Sequence, residues 1–286
     1  MTIVRKITGA SPRTRLPDGV VDTQTHMYLP GYPAIEGGPP NPPGDLPTPD
    51  QYRQVMAWLG IDRVVVTQGN AQQKDHGNLL AALAEMGEAA RGIGCIDGET
   101  SEAELDRLAA AGVVGARIMD LPGGAVPLSQ LDAVAERARA RGWLMTVQFD
   151  GSRIEEEEGR LARLKQPWIL DHHAKIFDGP TEGRKAAIKR LLDTGFCYFK
   201  FAACYESSTA GPPDYDDVAE VARDMAAHAP ERIVWGTNWP HNMAKTTDAY
   251  PDDAVLLDTV AAWFPSERAF RTALVDTPDR LFFAGR

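Results

Sequence analysis

RGIGCIDGETSEAELDRLAAAGVVGARIMDLPGGAVPLSQLDAVAERARARGWLMTVQFD, residues 91–150, alternates two structural periods. Arg91–Asp97, Gly115–Asp120 and Leu144–Asp150 are short, mainly apolar runs that end in an aspartate, the pattern of strands buried in a sheet. Between them, Ser101–Gly112 and Leu128–Gly142 carry a helical period. Ser101 with Glu104 makes a capping box, and Leu128, Leu131, Val134, Ala135 and Ala138 fall on one helical face. Strand, helix and strand in regular succession imply parallel pairing, because each helix carries the chain back to the start of the next strand.

The same alternation extends both ways. Strands are expected at Val20–Tyr28 and Arg63–Gln68 before this stretch, and at Trp168–His173, Cys197–Cys204 and Arg232–Asn238 after it. Helices are expected from Thr48 or Asp50 to Gly60, and over Asn78–Gly87, Glu155–Lys165, Thr181–Gly195, Tyr215–His228, Asp252–Phe264 and Ser266–Val275. Only Pro30 to Pro49 is too rich in turn residues for either period. Eight such units predict an α/β fold, a single-domain (β/α)8 TIM barrel over 20–286 preceded by an extension over 1–19. No GxGxxG or GxxxxGK[ST] follows a strand, which removes the main reason to prefer an open nucleotide-binding sheet.

Composition narrows the partners. A formal charge of −10 argues against a nucleic-acid surface, and no run of about 18 apolar residues predicts a membrane span. Cys95, Cys197 and Cys204 are too scattered for a disulfide framework or a metal knuckle, so reduced thiols in a cytoplasmic protein are expected. The first residues, MTIVRKITGASPRTRLPDG, lack the apolar core of a secretory signal. A monomer or small homo-oligomer fits this composition.

In a barrel, reactive side chains sit at the C-terminal ends of the strands. Those ends carry Asp22, Gln24 and His26; Gln68 and Asn70; Asp97; Arg117 and Asp120; Gln148 and Asp150; Asp171, His172, His173 and Lys175; Lys200 and Tyr205; Asn238 and His241. Strand alternation places Asp22, Gln24 and His26 on one face. One of His172 and His173 is expected to face inward, and parity does not say which. Lys200, inside Tyr198-Phe199-Lys200-Phe201, needs a partner or a ligand if buried. Arg117 either pairs with a neighbouring carboxylate or is free for a ligand. His76 and His228 read as solvated, Lys185 and Lys189 as outward-facing, and Glu155–Glu158 as a solvated helix start.

Val21-Asp22-Thr23-Gln24-Thr25-His26, Ile169-Leu170-Asp171-His172 and Gly236-Thr237-Asn238-Trp239-Pro240-His241 resemble the amidohydrolase superfamily, within it the branch of 2-pyrone-4,6-dicarboxylate lactonase. The likeness runs to Thr277-Pro278-Asp279-Arg280-Leu281-Phe282, nearly the whole chain. The family pattern implies His at the positions of Gln24, His26 and His172 and Asp at Asn238, so two of these four depart. Gln and Asn keep hydrogen bonding but remove an imidazole ligand and a carboxylate base. The resemblance therefore implies no metal and no cofactor, and an enzyme that rearranges an aldaric-acid lactone, the substrate's own hydroxyl attacking the carbonyl. A metal-independent lactone hydrolase, with Asp22 or His241 as base, and a non-catalytic sugar-acid-binding barrel are the alternatives. Expected catalytic residues are His26 and His172, polarising the carbonyl with one of them also moving the proton, and Gln24 and Asn238 as orienting amides. Arg117, with Lys175 or Lys200, would clamp the carboxylate, and Gln68, Asn70 and Gln148 would meet sugar hydroxyls.

Overall fold

The computed structural model of the protein describes residues 3–285; of the extension at 1–19 and the barrel at 20–286, residues 1, 2 and 286 lie outside the described residues. Eight parallel strands pair in chain order: β1 Val21–Thr25, β2 Arg63–Thr67, β3 Ala90–Gly94, β4 Val113–Asp120, β5 Leu144–Phe149, β6 Trp168–Leu170, β7 Cys197–Phe201 and β8 Ile233–Trp235. The ring closes just beyond β8. There Thr25 bridges Trp239 in parallel, the His26 amide donates to the Trp239 carbonyl, and the Asn238 amide donates to the Gln24 carbonyl, both at 2.9 Å. The expected (β/α)8 barrel is the fold.

Helices α1 Pro49–Leu59, α2 Gly77–Met86, α3 Glu102–Ala110, α4 Leu131–Ala140, α5 Ile154–Leu161, α6 Glu182–Asp193, α7 Cys204–Ser207, α8 Asp216–His228, α9 Asp253–Ala261 and α10 Glu267–Arg271 alternate with the strands. Thr48, Ser101, Thr181, Asp252 and Ser266 cap five of them through side-chain oxygens that accept from the first turn. The capping box at Ser101 is half made: Ser101 accepts from the Glu104 amide, while the Glu104 carboxylate turns to His76 and Arg107. The closing helix outlasts its expected end, continuing past Arg271 as wider π-type turns over Thr272–Asp276 and Asp279–Phe283. Among the described residues no helix is long and apolar enough to cross a membrane.

Two apolar layers hold this together. Val21, Val65, Ile93, Val114, Leu144, Ile169, Tyr198 and Val234, one from each strand, fill the barrel floor, and Leu281 and Phe282 stop its lower end. The larger core lies between sheet and helices and contains Tyr52, Phe149, Trp168, Phe199, Phe201 and Trp239. The apolar floor leaves only the upper barrel for polar side chains.

Several expectations change. The register of β1 on β2 shifts between Asp22 and Thr25, and alternation fails across that shift. Asp22 turns to Tyr52 of α1, while Gln24 meets Lys200 of β7, so Asp22 does not share a face with Gln24 and His26. His76 is buried, not solvated, between Glu104 and the Cys95 carbonyl. Lys185 is buried between α6 and α8, its ammonium 2.6 Å from both Glu182 and Glu220. Strand six ends at Leu170, and His172 and His173 fall in the turn that follows. Cys204 opens α7 instead of ending β7.

His173 leaves the site altogether. Its ring stacks on Phe201 with centroids 5.1 Å apart and lies edge-on to Phe199 and Trp263. Burial, and then the nearby His172 and Lys175, push its pKa down to about 3, as burial and Arg117 do for His26. Both imidazoles are thus neutral when folded, while the unfolded chain binds their protons near pH 6.5. The folded pKa values are depressed, so stability present above pH 6.5 is lost as pH falls toward 3, at up to about 1.4 kcal/mol per pH unit for each histidine. We expect His173→Phe to remove one of these two contributions. Urea unfolding between pH 6.5 and 4.5 should show its stability falling less steeply than the parent's, whatever the offset at pH 7; parallel slopes would contradict the assignment.

Candidate active site

A cavity of about 510 Å³ opens at the C-terminal end of the barrel. His26, Asn70, Arg117, Gln148, His172, Lys175, Tyr205, Glu206 and Asn238 line it, under an apolar lip that includes Leu121, Pro122, Phe177 and Met243. A second hollow, about 580 Å³, lies on the outer wall between α3 and α4, where Glu102 pairs with Arg137 and Arg141; it shares no lining residue with the first.

Arg117 reaches the cavity from β4. Its Nη1 donates to the Gln68 carbonyl at 3.0 Å and to Asn70 Oδ1 at 3.4 Å, and its Nη2 to Gln148 Oε1 at 2.9 Å. Among the described residues no carboxylate lies within ion-pairing distance, so a buried guanidinium is held only by neutral acceptors. Of the two readings of Arg117, the structure leaves the one in which its charge is uncommitted. Gln68 does not reach the cavity. Its amide donates to the Gln73 and Asp75 carbonyls and accepts from the Cys95 amide, which uses all of it in folding the β2 loop. It contributes a main-chain oxygen that positions Arg117.

His172, His173, Ala174 and Lys175 follow β6 with φ of 50°, 52°, 62° and 48°, a left-handed turn of four consecutive non-glycine residues. Each such residue costs roughly 1–2 kcal/mol, and strain of this kind gathers at functional sites. The turn brings His172 and Lys175 to the cavity and sends His173 into the aromatic core. Asn238 opposite is also left-handed, at φ 63°.

Partners orient the Asn238 amide. Its Nδ2 donates to Tyr205 Oη at 2.9 Å and to Glu206 Oε1 at 3.0 Å, so Oδ1 is the end facing His172 Nε2 at 3.0 Å, and that nitrogen carries its hydrogen. Glu206 Oε2 pairs with Lys175 Nζ at 2.6 Å. Burial would raise the Glu206 pKa, but Lys175 and then His172 hold it below its usual value, and the carboxylate stays ionised. Tyr205 Oη lies 2.7 Å from His241 Nδ1, and His241 Nε2 lies 3.1 Å from Asp253. Burial, then Glu206, keep the Tyr205 phenol protonated by raising its pKa well above the usual value.

Beneath the cavity Lys200, fully buried, donates to Gln24 Oε1 at 2.8 Å and pairs with Asp171 at 2.9 Å. Burial would raise the Asp171 pKa, but Lys200 and His172 hold that carboxylate well below its usual range. With Oε1 taken by the ammonium, Gln24 Nε2 points at His26 Nε2, 3.3 Å away, while His26 Nδ1 donates to the Thr67 carbonyl at 2.8 Å. His26 is therefore the Nδ1–H tautomer and offers a lone pair, not a donor. These donors do not fit the divalent cation of the wider family. An ammonium sits against Gln24 and Asp171, the 238 side chain is an amide, and no group of three His, Cys, Asp or Glu side chains among the described residues could hold a metal.

Of the expected site residues, His26, His172, Asn238, Arg117, Asn70, Gln148 and Lys175 line one cavity. Gln24 and Lys200 lie under it, and Gln68 behind Arg117. Neither expected hydrolytic base lines the cavity: Asp22 accepts from Tyr52, Thr237 and the Gln24 amide, and His241 is held between Tyr205 and Asp253. Glu206 was not legible as a site residue. Its one signal was an acidic side chain directly after Tyr205 at the rim.

The model of the family described as Amidohydrolase matches residues 21–284. The chain is 56% identical to the D-galactarolactone isomerase of Agrobacterium fabrum, over 98% of this chain and 96% of that protein. It is 28% identical to a 2-pyrone-4,6-dicarboxylate hydrolase of Comamonas testosteroni, over 96% and 93% of the two chains. An apo crystal structure from Agrobacterium tumefaciens superposes with a TM-score of 0.95 at 55% identity, covering 97% of this chain and 98% of that one.

Removing one partner of a buried ion pair typically costs about 3–5 kcal/mol. We expect Lys200→Met and Asp171→Asn each to lower the urea midpoint. The double variant should be more stable than the sum of the two losses allows, a coupling of at least about 1 kcal/mol in a double-mutant cycle. Additive losses would mean that the pair does not act as a unit.

Proposed function

The chain belongs to the amidohydrolase family, and from that premise we propose that it is an intramolecular lactone isomerase converting D-galactaro-1,5-lactone to D-galactaro-1,4-lactone. The near full-length likeness to the Agrobacterium fabrum isomerase supports the substrate. The observation that carries the reaction type is Asn238, an amide with oxygen and nitrogen both engaged where a water-activating carboxylate would stand. It takes no proton at neutral pH, so water activation there is weak.

An internal nucleophile needs less help. A well-placed intramolecular hydroxyl reaches effective molarities of about 10⁵ M or more. The 4-hydroxyl attacks the lactone carbonyl and gives its proton to the lone pair of His26 Nε2, displacing the Gln24 amide that faces it at 3.3 Å. The tetrahedral intermediate then breaks its bond to the 5-oxygen, which takes the proton back from His26, and the γ-lactone leaves with no net proton change. His172 and Lys175, on the left-handed turn, stabilise the charge that develops on the carbonyl oxygen. Arg117 holds the free carboxylate in the bidentate manner of guanidinium, and Asn70 and Gln148 meet hydroxyls. Proton transfer thus falls to His26, and carbonyl polarisation, expected of both histidines, falls to His172, because the one hydrogen of the neutral His26 ring is given to the Thr67 carbonyl.

One observation favours hydrolysis as a second reading: Glu206 is a carboxylate in the cavity wall. Its two oxygens are already engaged by Lys175 and Asn238, which makes it a weak base for water.

Proton NMR of purified δ-lactone with enzyme should show the γ-lactone appearing ahead of any open diacid. Diacid as first product would favour hydrolysis, and neither above background would leave a binding protein. Asn238→Asp should raise diacid relative to γ-lactone by about a hundredfold, the lower end of what a positioned base supplies; an unchanged product ratio would remove Asn238 from its role. The wild-type rate should survive prolonged EDTA treatment, and a loss reversed by Zn²⁺ would show that the donor set binds metal after all.

A further inference from the structure

Two basic side chains, Arg117 and Lys175, and one carboxylate, Glu206, line the cavity. Their distribution is uneven. Arg117 meets only neutral acceptors, whereas Lys175 is committed to Glu206 at 2.6 Å, with that carboxylate fixed from its other side by Asn238 Nδ2 at 3.0 Å. Lys175 and Glu206 are both largely withdrawn from solvent, with side-chain exposures of 6% and 11%. Water does little to screen either charge, and a second anion entering beside Lys175 would meet Glu206 as well. Below the floor, Lys200 and Asp171 answer each other. The rest of the lip is apolar or amide, from Leu121 and Pro122 to Asn242 and Met243.

From this we infer that Glu206 sets the charge of the ligand: by occupying Lys175 it leaves one open cationic position, at Arg117, and restricts the site to sugar acids or their lactones that bear a single carboxylate. The inference rests on the lactone reading for its ligand type and adds the number of charges. Lys175 still serves, because the ammonium has hydrogens left for a neutral carbonyl or hydroxyl oxygen. Without Glu206 the same ammonium becomes a second carboxylate site.

Galactonate and galactarate test this directly. They share their chain and hydroxyl configuration, and differ in that one end is a hydroxymethyl group in the first and a second carboxylate in the second. Isothermal titration calorimetry at pH 7.5 and fixed low salt gives the ratio of their dissociation constants. Wild type should favour galactonate. Glu206→Gln should move the ratio at least tenfold toward galactarate, and Lys175→Met with Glu206→Gln should return it to within about threefold of wild type. A merely structural role for Glu206 would weaken both ligands alike. A ratio unchanged in Glu206→Gln, or no galactarate binding by it at all, overturns the inference. Should that variant fail to fold, Lys175→Gln carries the test: with Glu206 unanswered, galactarate must weaken at least tenfold more than galactonate, and equal weakening overturns the inference. The binding ratio does not depend on turnover, so a failed isomerisation assay with a shifted ratio, and the reverse, remain separate outcomes.

Discussion

The ammonium of Lys200, closed off inside the barrel, orders everything above it. An unpartnered cation at that depth would be prohibitively unfavourable, and Gln24 and Asp171 answer it with one neutral and one charged oxygen. Each answer has a consequence one layer up. Gln24, its oxygen taken, turns its amide hydrogens toward His26 and so leaves that ring with a lone pair. Asp171 lies 3.0 Å from His172 Nδ1, which leaves Nε2 to face Asn238. The face that each histidine turns to the cavity is thus arranged from below, through Gln24 and Asp171, by a lysine that does not touch the cavity.

The substitutions at 24 and 238 make sense together in that setting. An amide at 24 accepts from an ammonium and donates to an imidazole at once, which an imidazole ligand could do only by giving up its metal-binding lone pair. An amide at 238 donates to Glu206 and accepts from His172. A carboxylate there would sit against Glu206, and one of the two would be driven to hold a proton. The site has exchanged strong bases for fixed dipoles. That suits a reaction whose nucleophile is already attached to its electrophile and whose proton needs only a short round trip.

Backbone strain is the other half of the arrangement. A regular strand end would send neighbouring side chains to opposite faces. The left-handed turn after β6 instead brings His172 and Lys175, three residues apart, to the same cavity and buries His173 among Phe199, Phe201 and Trp263. The aromatic nest on one side and the Lys175–Glu206 pair on the other hold the turn in place.

The order of strands and helices, the barrel they form, and most of the polar residues around its rim were readable from residue periods alone, because a parallel sheet covered by helices requires apolar strands with polar C-terminal ends. His26, Arg117, Gln148, His172 and Asn238 were legible for that reason. What the chain order could not express is which polar group meets which. The shift in register on β1 separated Asp22 from Gln24, the left-handed turn decided between His172 and His173, and Gln68 was consumed by its own loop. Glu206 gained its place only when β6, β7 and β8 came together and set it beside Lys175 and Asn238. Periodicity is a property of local backbone geometry and is written along the sequence; hydrogen-bond partnership across the barrel depends on distances that exist only once the ring has closed.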